Sequence, residues 1–230
     1  VDADYIGDPT QSIGIYAFDE VSEINKIAIP AKAVPAIDVA LIAYADMRKD
    51  LIAVVRTPVG VNSAGILDYR NGTGTYTHQP HDSWRAIMWT GGNVINHPVT
   101  GETIEIPEIG DVLGLMSARD NNFAEWFAVA GPERGRVRNS LGVAYNLGSA
   151  ARQTEADNVD VNGVNAVIEH PSFGVTLWGN STLQRANTLL IHANIAELMI
   201  YLTRELRPII ETELFNPNDP QTWKAIHRKV

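Results

Sequence analysis

The chain has 230 residues, enough for one large domain or two small ones with a sizeable buried core. Its formal net charge of -9 argues against non-specific nucleic-acid binding, which needs a basic surface. It contains no cysteine, which excludes disulfide frameworks and thiolate zinc sites, and no apolar stretch in the sequence reaches membrane-spanning length.

The first quarter of the chain predicts a strand, a helix and a second strand after a polar linker over residues 1–20. Residues 24–29 alternate in polarity and end at Pro30, which is typical of a short strand. Residues 34–49 carry apolar side chains at helical spacing, and residues 51–55 form the continuous apolar run of a buried strand. This order indicates a parallel βαβ unit.

The middle of the chain predicts a hairpin insertion, one helix and further strands. Apolar runs bounded by turn residues predict strands over 84–90, 93–97, 102–106, 165–170 and 173–178, of which the second and third form the hairpin. Apolar residues at helical spacing predict a helix over 109–119, and Gly and Pro predict a loop over 131–135.

The last part of the chain predicts two helices. Residues 185–213 form the longest periodic segment, and their apolar side chains predict a mostly buried helix that Pro208 kinks or ends. After it, Asn218 and Asp219 can cap a second helix, with Pro220 at the first helical position.

Together these patterns predict an α/β fold. We expect a βαβ-type mixed sheet with flanking helices, a hairpin insertion, and a long helix leading into a truncated inner domain. The predicted domains are the linker, an α/β core over 21–180, and an inner domain of which residues 181–230 are the helical start. The outer loops of the core are predicted at 71–83 and 121–148. The chain begins with Val and stops within a helical pattern, so we interpret it as a fragment.

Residues 174–183 and then residues 215–230 form two segments that, in this order, resemble the contractile sheath proteins of phage tails and related injection machines. Residues 174–183 are similar to a family segment ending in Trp-Gly-Ala-Arg-Thr-Leu, and residues 215–230 are similar to its Phe-Glu-Pro-Asn-Asp-Pro signature. Further likeness covers residues 13–21 and 24–30, 42–45 and 51–58, 106–107 with 112–120, and 163–167. Departures at residues 108–111 and 180–181 leave open whether the relative is a phage tail, a pyocin-like particle or a secretion-system sheath.

The resemblance implies a structural role, not an enzymatic one. Subunits of this family stack as rings around an inner tube, contract when triggered at a baseplate, and link by donating terminal strands to a neighbour's sheet. It implies sheath subunits, tube and baseplate as partners, without nucleic acid, membrane insertion, cofactor or metal. It also implies location in a virion after assembly in the bacterial host cytoplasm. Because the linking arms are missing, we expect this chain alone to be a monomer.

One local basic cluster, Lys224, Arg228 and Lys229, is the candidate contact with the tube or a neighbouring subunit. The alternative interpretation is solvated charge that complements the negative end of the last helix dipole. Three aromatic side chains are candidate packing anchors: Trp178, Trp223 and Phe215.

Two other functions stay open at this point. An α/β hydrolase-like enzyme would need a nucleophile–base pair, and no Gly-x-Ser-x-Gly elbow marks one. His78 and His81 could suit a metal, but the intervening Pro80 and the scarcity of nearby carboxylates favour a surface loop. A monomeric module that binds a surface through its large loops is the other alternative.

Overall fold

The computed structural model describes residues 2–148 and 153–229. Its helices are α1 (Asp2–Ile6), α2 (Pro35–Arg48), α3 (Ser63–Asn71), α4 (Ile109–Asn122), α5 (Gly131–Arg134), α6 (Gln153–Val161), α7 (Ala193–Glu211) and α8 (Pro220–Lys229). Its strands are β1 (Lys26–Ile27), β2 (Ile52–Arg56), β3 (Ala86–Thr90), β4 (Asn93–Asn96), β5 (Thr103–Ile106), β6 (Gly142–Val143), β7 (Val164–His170) and β8 (Gly174–Trp178).

A five-stranded mixed sheet forms the centre of the fold, in the order β1-β2-β3-β7-β8. The first four strands are parallel, and β8 returns antiparallel to β7. The α/β fold class is therefore confirmed, including the βαβ unit formed by β1, α2 and β2. Strands β4 and β5 form the predicted antiparallel hairpin, and β6 pairs with β4 to complete a second, three-stranded sheet.

Alternate strand residues contribute to two separate hydrophobic cores, one on each face of the larger sheet. Ala53 and Val55 of β2 belong to the core that contains residues of α2, α3 and α6. Ile52 and Val54 belong to the other core, with residues of α4 and α7. All five residues of β2 are buried, as expected of a parallel strand covered on both faces.

The long helix differs from its prediction in both length and burial. It begins at Ala193 and not near residue 185, because the preceding chain forms its own hydrogen bonds. Thr182 Oγ1 donates to the Leu190 carbonyl (2.7 Å), and Thr188 Oγ1 accepts from the Leu190 N–H (3.2 Å). The prediction that the helix is mostly buried is wrong, since none of its residues beyond Ile200 is buried. Pro208 lies inside the helix and does not end it.

Several short helices were not predicted. Helix α3 follows Asn62, whose Oδ1 accepts the Gly65 N–H (2.9 Å) as an N-cap. Helix α5 is a single turn within the predicted loop, and α1 lies within the predicted linker. In that linker Ile15 is buried in the core beside α2. The division into three domains stays a prediction.

Candidate functional site

Helix α7 attaches to the sheet through its first two turns only. Ala193, Ala196 and Ile200 are buried, and Glu197 is buried beside them. Further along the helix, Arg204 forms an ion pair with Glu125, and the Tyr201 ring contacts the Trp126 ring. Beyond Ile200 none of the described residues of the helix is buried. We call residues 205–229 the C-terminal segment, and within it the structure buries no residue.

A buried ion pair fixes the root of α7. Arg119 of α4 donates from its two Nη atoms to the two carboxylate oxygens of Glu197, at 2.6 and 2.8 Å. Its Nε donates to Asp120 Oδ1 (2.8 Å), and Asp120 also pairs with Lys26 of β1. Burial raises the pKa of Glu197, and the facing guanidinium opposes that shift. The cluster therefore sets the position of α7 relative to the sheet.

Helix α8 packs on the end of α7 through polar contacts. Asp219 Oδ1 accepts the N–H groups of Gln221 (2.9 Å) and Thr222 (2.8 Å), so the predicted cap is confirmed. Lys229 forms an ion pair with Glu213. Because this contact ties α8 to the turn that follows α7, Lys229 is already engaged inside the molecule.

The other two basic candidates, Lys224 and Arg228, lie exposed one helical turn apart on α8. Arg228 Nε donates to the Lys224 carbonyl (3.4 Å), which is a long and weak contact. The structure therefore brings these two cations together on solvent-facing α8, while Lys229 faces Glu213. Whether they contact a tube or a neighbouring subunit stays a prediction.

The three aromatic anchor candidates are exposed and lie in two places. Phe215 is 96% and Trp223 57% exposed, both in the C-terminal segment, and Trp223 Nε1 donates to Asn218 Oδ1 (2.7 Å). Trp178 is 41% exposed on β8 and stacks on His170 with ring centroids 5.5 Å apart. None of them packs in either hydrophobic core, so their anchoring role against another chain or segment stays a prediction.

A basic groove of about 790 Å³ lies between α4 and the chain that covers the edge of β8. Arg134, Arg136 and Arg138 line it, with Phe123 and Phe173 at its apolar parts. We call it the arginine groove. Sequence reasoning missed it, although the alternation of Arg136, Val137 and Arg138 is a strand pattern that places both arginines on one side. The only hydroxyl among its lining residues, that of Ser140, donates to the Gly142 carbonyl (2.6 Å).

Buried polar groups collect at the carboxyl ends of β2 and β3. Tyr69 donates its hydroxyl to Asp38 Oδ2 (2.6 Å), and burial raises the pKa of Asp38 to about 7. Burial likewise raises the pKa of Glu108 to about 7, against smaller opposing effects of nearby backbone amides and Arg56. Both carboxylate oxygens of Glu108 are buried without a hydrogen bond of good geometry. The cluster is closed to solvent, which suits a structural role.

The prediction of a surface loop at the two histidines is wrong for His81, which is buried. Its ring stacks on His78 with centroids 4.6 Å apart and lies 6.1 Å from Tyr69. Burial lowers the pKa of His81 to about 4, so the ring is neutral at pH 7. Within residues 2–148 and 153–229, no group of three or more potential metal ligands is arranged to hold an ion, and no helix is long and apolar enough to span a membrane.

Comparison with known proteins identifies relatives, although no family model matches the chain. The tail sheath protein of Enterobacteria phage T4 is 22% identical over 203 residues, which is 83% of this chain and 30% of that protein. The resemblance to contractile sheath proteins is therefore confirmed, and the chain spans about a third of that relative's length.

Solved structures of sheath proteins share the fold. The PVC sheath complex of an extracellular contractile injection system, in its contracted state, has a TM-score of 0.72 at 16% identity, covering 94% of this chain and 55% of that one. The contracted helical sheath of the anti-feeding prophage has a TM-score of 0.69 at 19% identity, covering 91% and 53%. The sheath tail protein of Desulfitobacterium hafniense has a TM-score of 0.59 at 12% identity, covering 93% and 45%.

Proposed function

We propose that this chain is the folded core of a structural subunit of a contractile sheath. Such a subunit polymerises around an inner tube and contracts to drive the tube through a host envelope. The observation that carries the proposal is the shared fold over 94% of the chain with a contracted sheath, alongside a phage tail sheath relative. Its partners are other sheath subunits, the inner tube and the baseplate, and it resides in the assembled tail or particle after assembly in the host cytoplasm.

The energy for contraction resides, on this proposal, in contacts between subunits and not in chemistry at one site. Packed interfaces switch between discrete arrangements, so a metastable extended lattice can store the work of contraction. The exposed apolar side chains of the C-terminal segment support the proposal, since such groups mark surfaces that another chain covers.

The electron microscope tests this function directly. Full-length protein is expressed with and without its tube partner, and each sample is imaged by negative stain. We expect striated tubes with the partner, or contracted hollow cylinders. Dispersed monomers under both conditions would refute the proposal and leave the enzyme and surface-binding alternatives.

The two exposed cations Lys224 and Arg228 of α8 are the proposed contact with the tube. Helix α8 carries Lys224 at its middle and Arg228 and Lys229 in its last turn, whereas the whole chain has a net charge of -9. An acidic tube surface would attract Lys224 and Arg228, and Lys229 contributes less because Glu213 pairs with it. The double variant Lys224→Glu/Arg228→Glu should weaken assembly on the tube, whereas the exposed control Lys49→Glu should not. Equal assembly by both variants would exclude this contact.

A further inference from the structure

The arginine groove holds two cations without a partner. Within the part of the chain that the structure describes, the side chains of Arg136 and Arg138 form no hydrogen bond or ion pair, whereas every other arginine side chain forms at least one. Both are exposed, and buried Val137 lies between them. The third lining arginine, Arg134, donates to the Ala128 carbonyl (3.0 Å) and pairs with Glu133.

Backbone pairing fixes the direction of these side chains. The Val137 N–H donates to the Val175 carbonyl (2.9 Å), and the Leu177 N–H donates to the Gly135 carbonyl (2.8 Å). Residues 135–137 therefore continue the sheet beyond β8, and alternation along an extended chain sends Arg136 and Arg138 to the side opposite Val137. The groove is thus a pre-formed site with two solvated positive charges.

Apolar surface accompanies the charge. Phe123 is 51% exposed and Phe173 is 37% exposed, and both line the groove. Arg134 lies over the Phe123 ring, 5.6 Å from its centroid. An occupant should therefore combine carboxylates with apolar side chains, which is the composition of a protein segment and not of a free anion.

The same chain carries a segment with that composition. Residues 2–23 contain six acidic residues and no basic one, which is the strongest local charge bias in the sequence. Glu20 and Glu23 are exposed. Val21, between them, is 39% exposed, and Phe18, just before them, is 42% exposed. Arg48 holds this stretch in place by donating to the Phe18 carbonyl (2.5 Å) and to the Val21 carbonyl (3.0 Å).

We propose that residues 18–23 of one copy dock into the arginine groove of a second copy. Residues 18–23 lead into β1 at one edge of the five-stranded sheet, whereas the groove lies along β8 at the other edge. The two surfaces are different, so the contact is head-to-tail and propagates into rings or helices instead of closing as a two-fold dimer. The inference rests on the proposed function, because it supplies one of the contacts that self-assembly requires.

Cross-linking tests the contact in the full-length protein, and residues 1–230 contain no cysteine of their own that would react. Glu20→Cys protein is mixed with Arg138→Cys protein and treated with a short bismaleimide. We expect a linked pair of the two variants, with a yield that falls at high salt. Replacing Arg138→Cys by Arg185→Cys, an exposed position outside the groove, is the matched control. A yield no higher than that control would overturn the contact.

Charge exchange supplies the second measurement. In this experiment the cross-link joins residues 21 and 139, through Val21→Cys in one copy and Asn139→Cys in the other. Reversing the charge on one side alone, by Glu20→Lys/Glu23→Lys or by Arg136→Glu/Arg138→Glu, places like charges opposite each other. Either reversal should lower the cross-linking yield at least about tenfold. Mixing the two reversed proteins should restore the yield, which also shows that both fold. No restoration would overturn the pairing. If sheaths form but the cross-link does not, the contact is refuted and the proposed function stands. If the cross-link forms but sheaths do not, the contact stands and the proposed function is refuted.

Discussion

The sheet core and the C-terminal segment differ in how much of their apolar side-chain surface is buried. Every residue of β2 and β3 is buried, with helices packed on both faces of the sheet. In the C-terminal segment Leu214 is 68% and Phe215 96% exposed, and the segment ends in a helix with no buried residue among those described. The strands are covered by helices of the same chain, whereas the apolar side chains of the C-terminal segment are exposed. This contrast indicates that another chain, or another part of the full-length chain, packs against the segment.

The junction between these two regions should show the largest effect on stability. Arg119→Met leaves the Glu197 carboxylate buried without its partner, which should cost about 3–5 kcal/mol of unfolding free energy. Urea denaturation followed by circular dichroism measures the change. The double variant Arg119→Met/Glu197→Leu should recover most of the loss, because the uncompensated charge is gone. Arg207→Met, which breaks an exposed pair with Glu211, should change stability by less than about 0.5 kcal/mol.

A matched pair of truncations compares the two regions directly. Leu41→Ala removes a side chain that is 1% exposed in the core and should cost about 2–5 kcal/mol. Phe215→Ala removes a larger side chain from the C-terminal segment and should stay within about 0.5 kcal/mol of the original protein. Thermal and urea unfolding of both variants test the difference. Comparable losses would mean that the segment is packed against the core.

The buried carboxyl groups make core stability depend on pH. Burial raises the pKa of Glu108 to about 7 in the folded protein, above the ordinary carboxyl value that applies in the unfolded chain. Stability should therefore fall as the pH rises from about 4.5 to 7, and the loss is complete above that range. Glu108→Gln stays neutral, so it should be more stable than the original protein at pH 8, by up to about 3 kcal/mol.

The advantage of Glu108→Gln should vanish near pH 4, where both folded and unfolded states of the original protein are protonated. Urea midpoints at the two pH values measure it. Glu102→Gln, at an exposed turn of the hairpin, is the matched control for the chemical change. A constant difference across the pH range would contradict the raised pKa.

The smallest effect on stability should come with a large effect on assembly. Phe215→Ser/Trp223→Ser changes two exposed side chains, so unfolding of the isolated chain should shift by less than about 0.5 kcal/mol. If the segment's apolar groups are covered in the sheath, the full-length variant should assemble poorly on the tube. Normal assembly, seen by electron microscopy at the original yield, would show that these two residues are not part of an interface.

Local pattern was enough to predict most of the sheet. The run that became β2 is apolar on both faces, and the hairpin at residues 93–106 has its turn residues between alternating strands. These features depend on neighbours in sequence, so a single sequence reveals them. Register and strand order were not predictable, because they depend on pairings such as Met88 with Val164 that join distant residues.

The candidate site was only partly predictable for the same reason. The Asp219 cap follows from adjacent residues and was found, whereas the engagement of Lys229 depends on Glu213, 16 residues earlier and across the turn between α7 and α8. The arginine groove is formed by α4 and by two later segments, 132–140 and 173–175, so only the Arg136–Val137–Arg138 alternation indicated it. The helix at 185–213 was predicted too long because apolar spacing cannot reveal the hydrogen bonds of Thr182 and Thr188.

Hydrogen exchange of the full-length protein, before and after assembly into sheaths, tests the central claim most directly. Amides of the C-terminal segment, residues 205–229, should exchange rapidly in the unassembled protein, whereas those of β2 and β3 are protected. After assembly the C-terminal segment should become protected and the strands should not change. The account would be contradicted if the amides of the segment were already fully protected before assembly, or if assembly did not change their protection. Either result would mean that the C-terminal segment is not an interface that assembly covers.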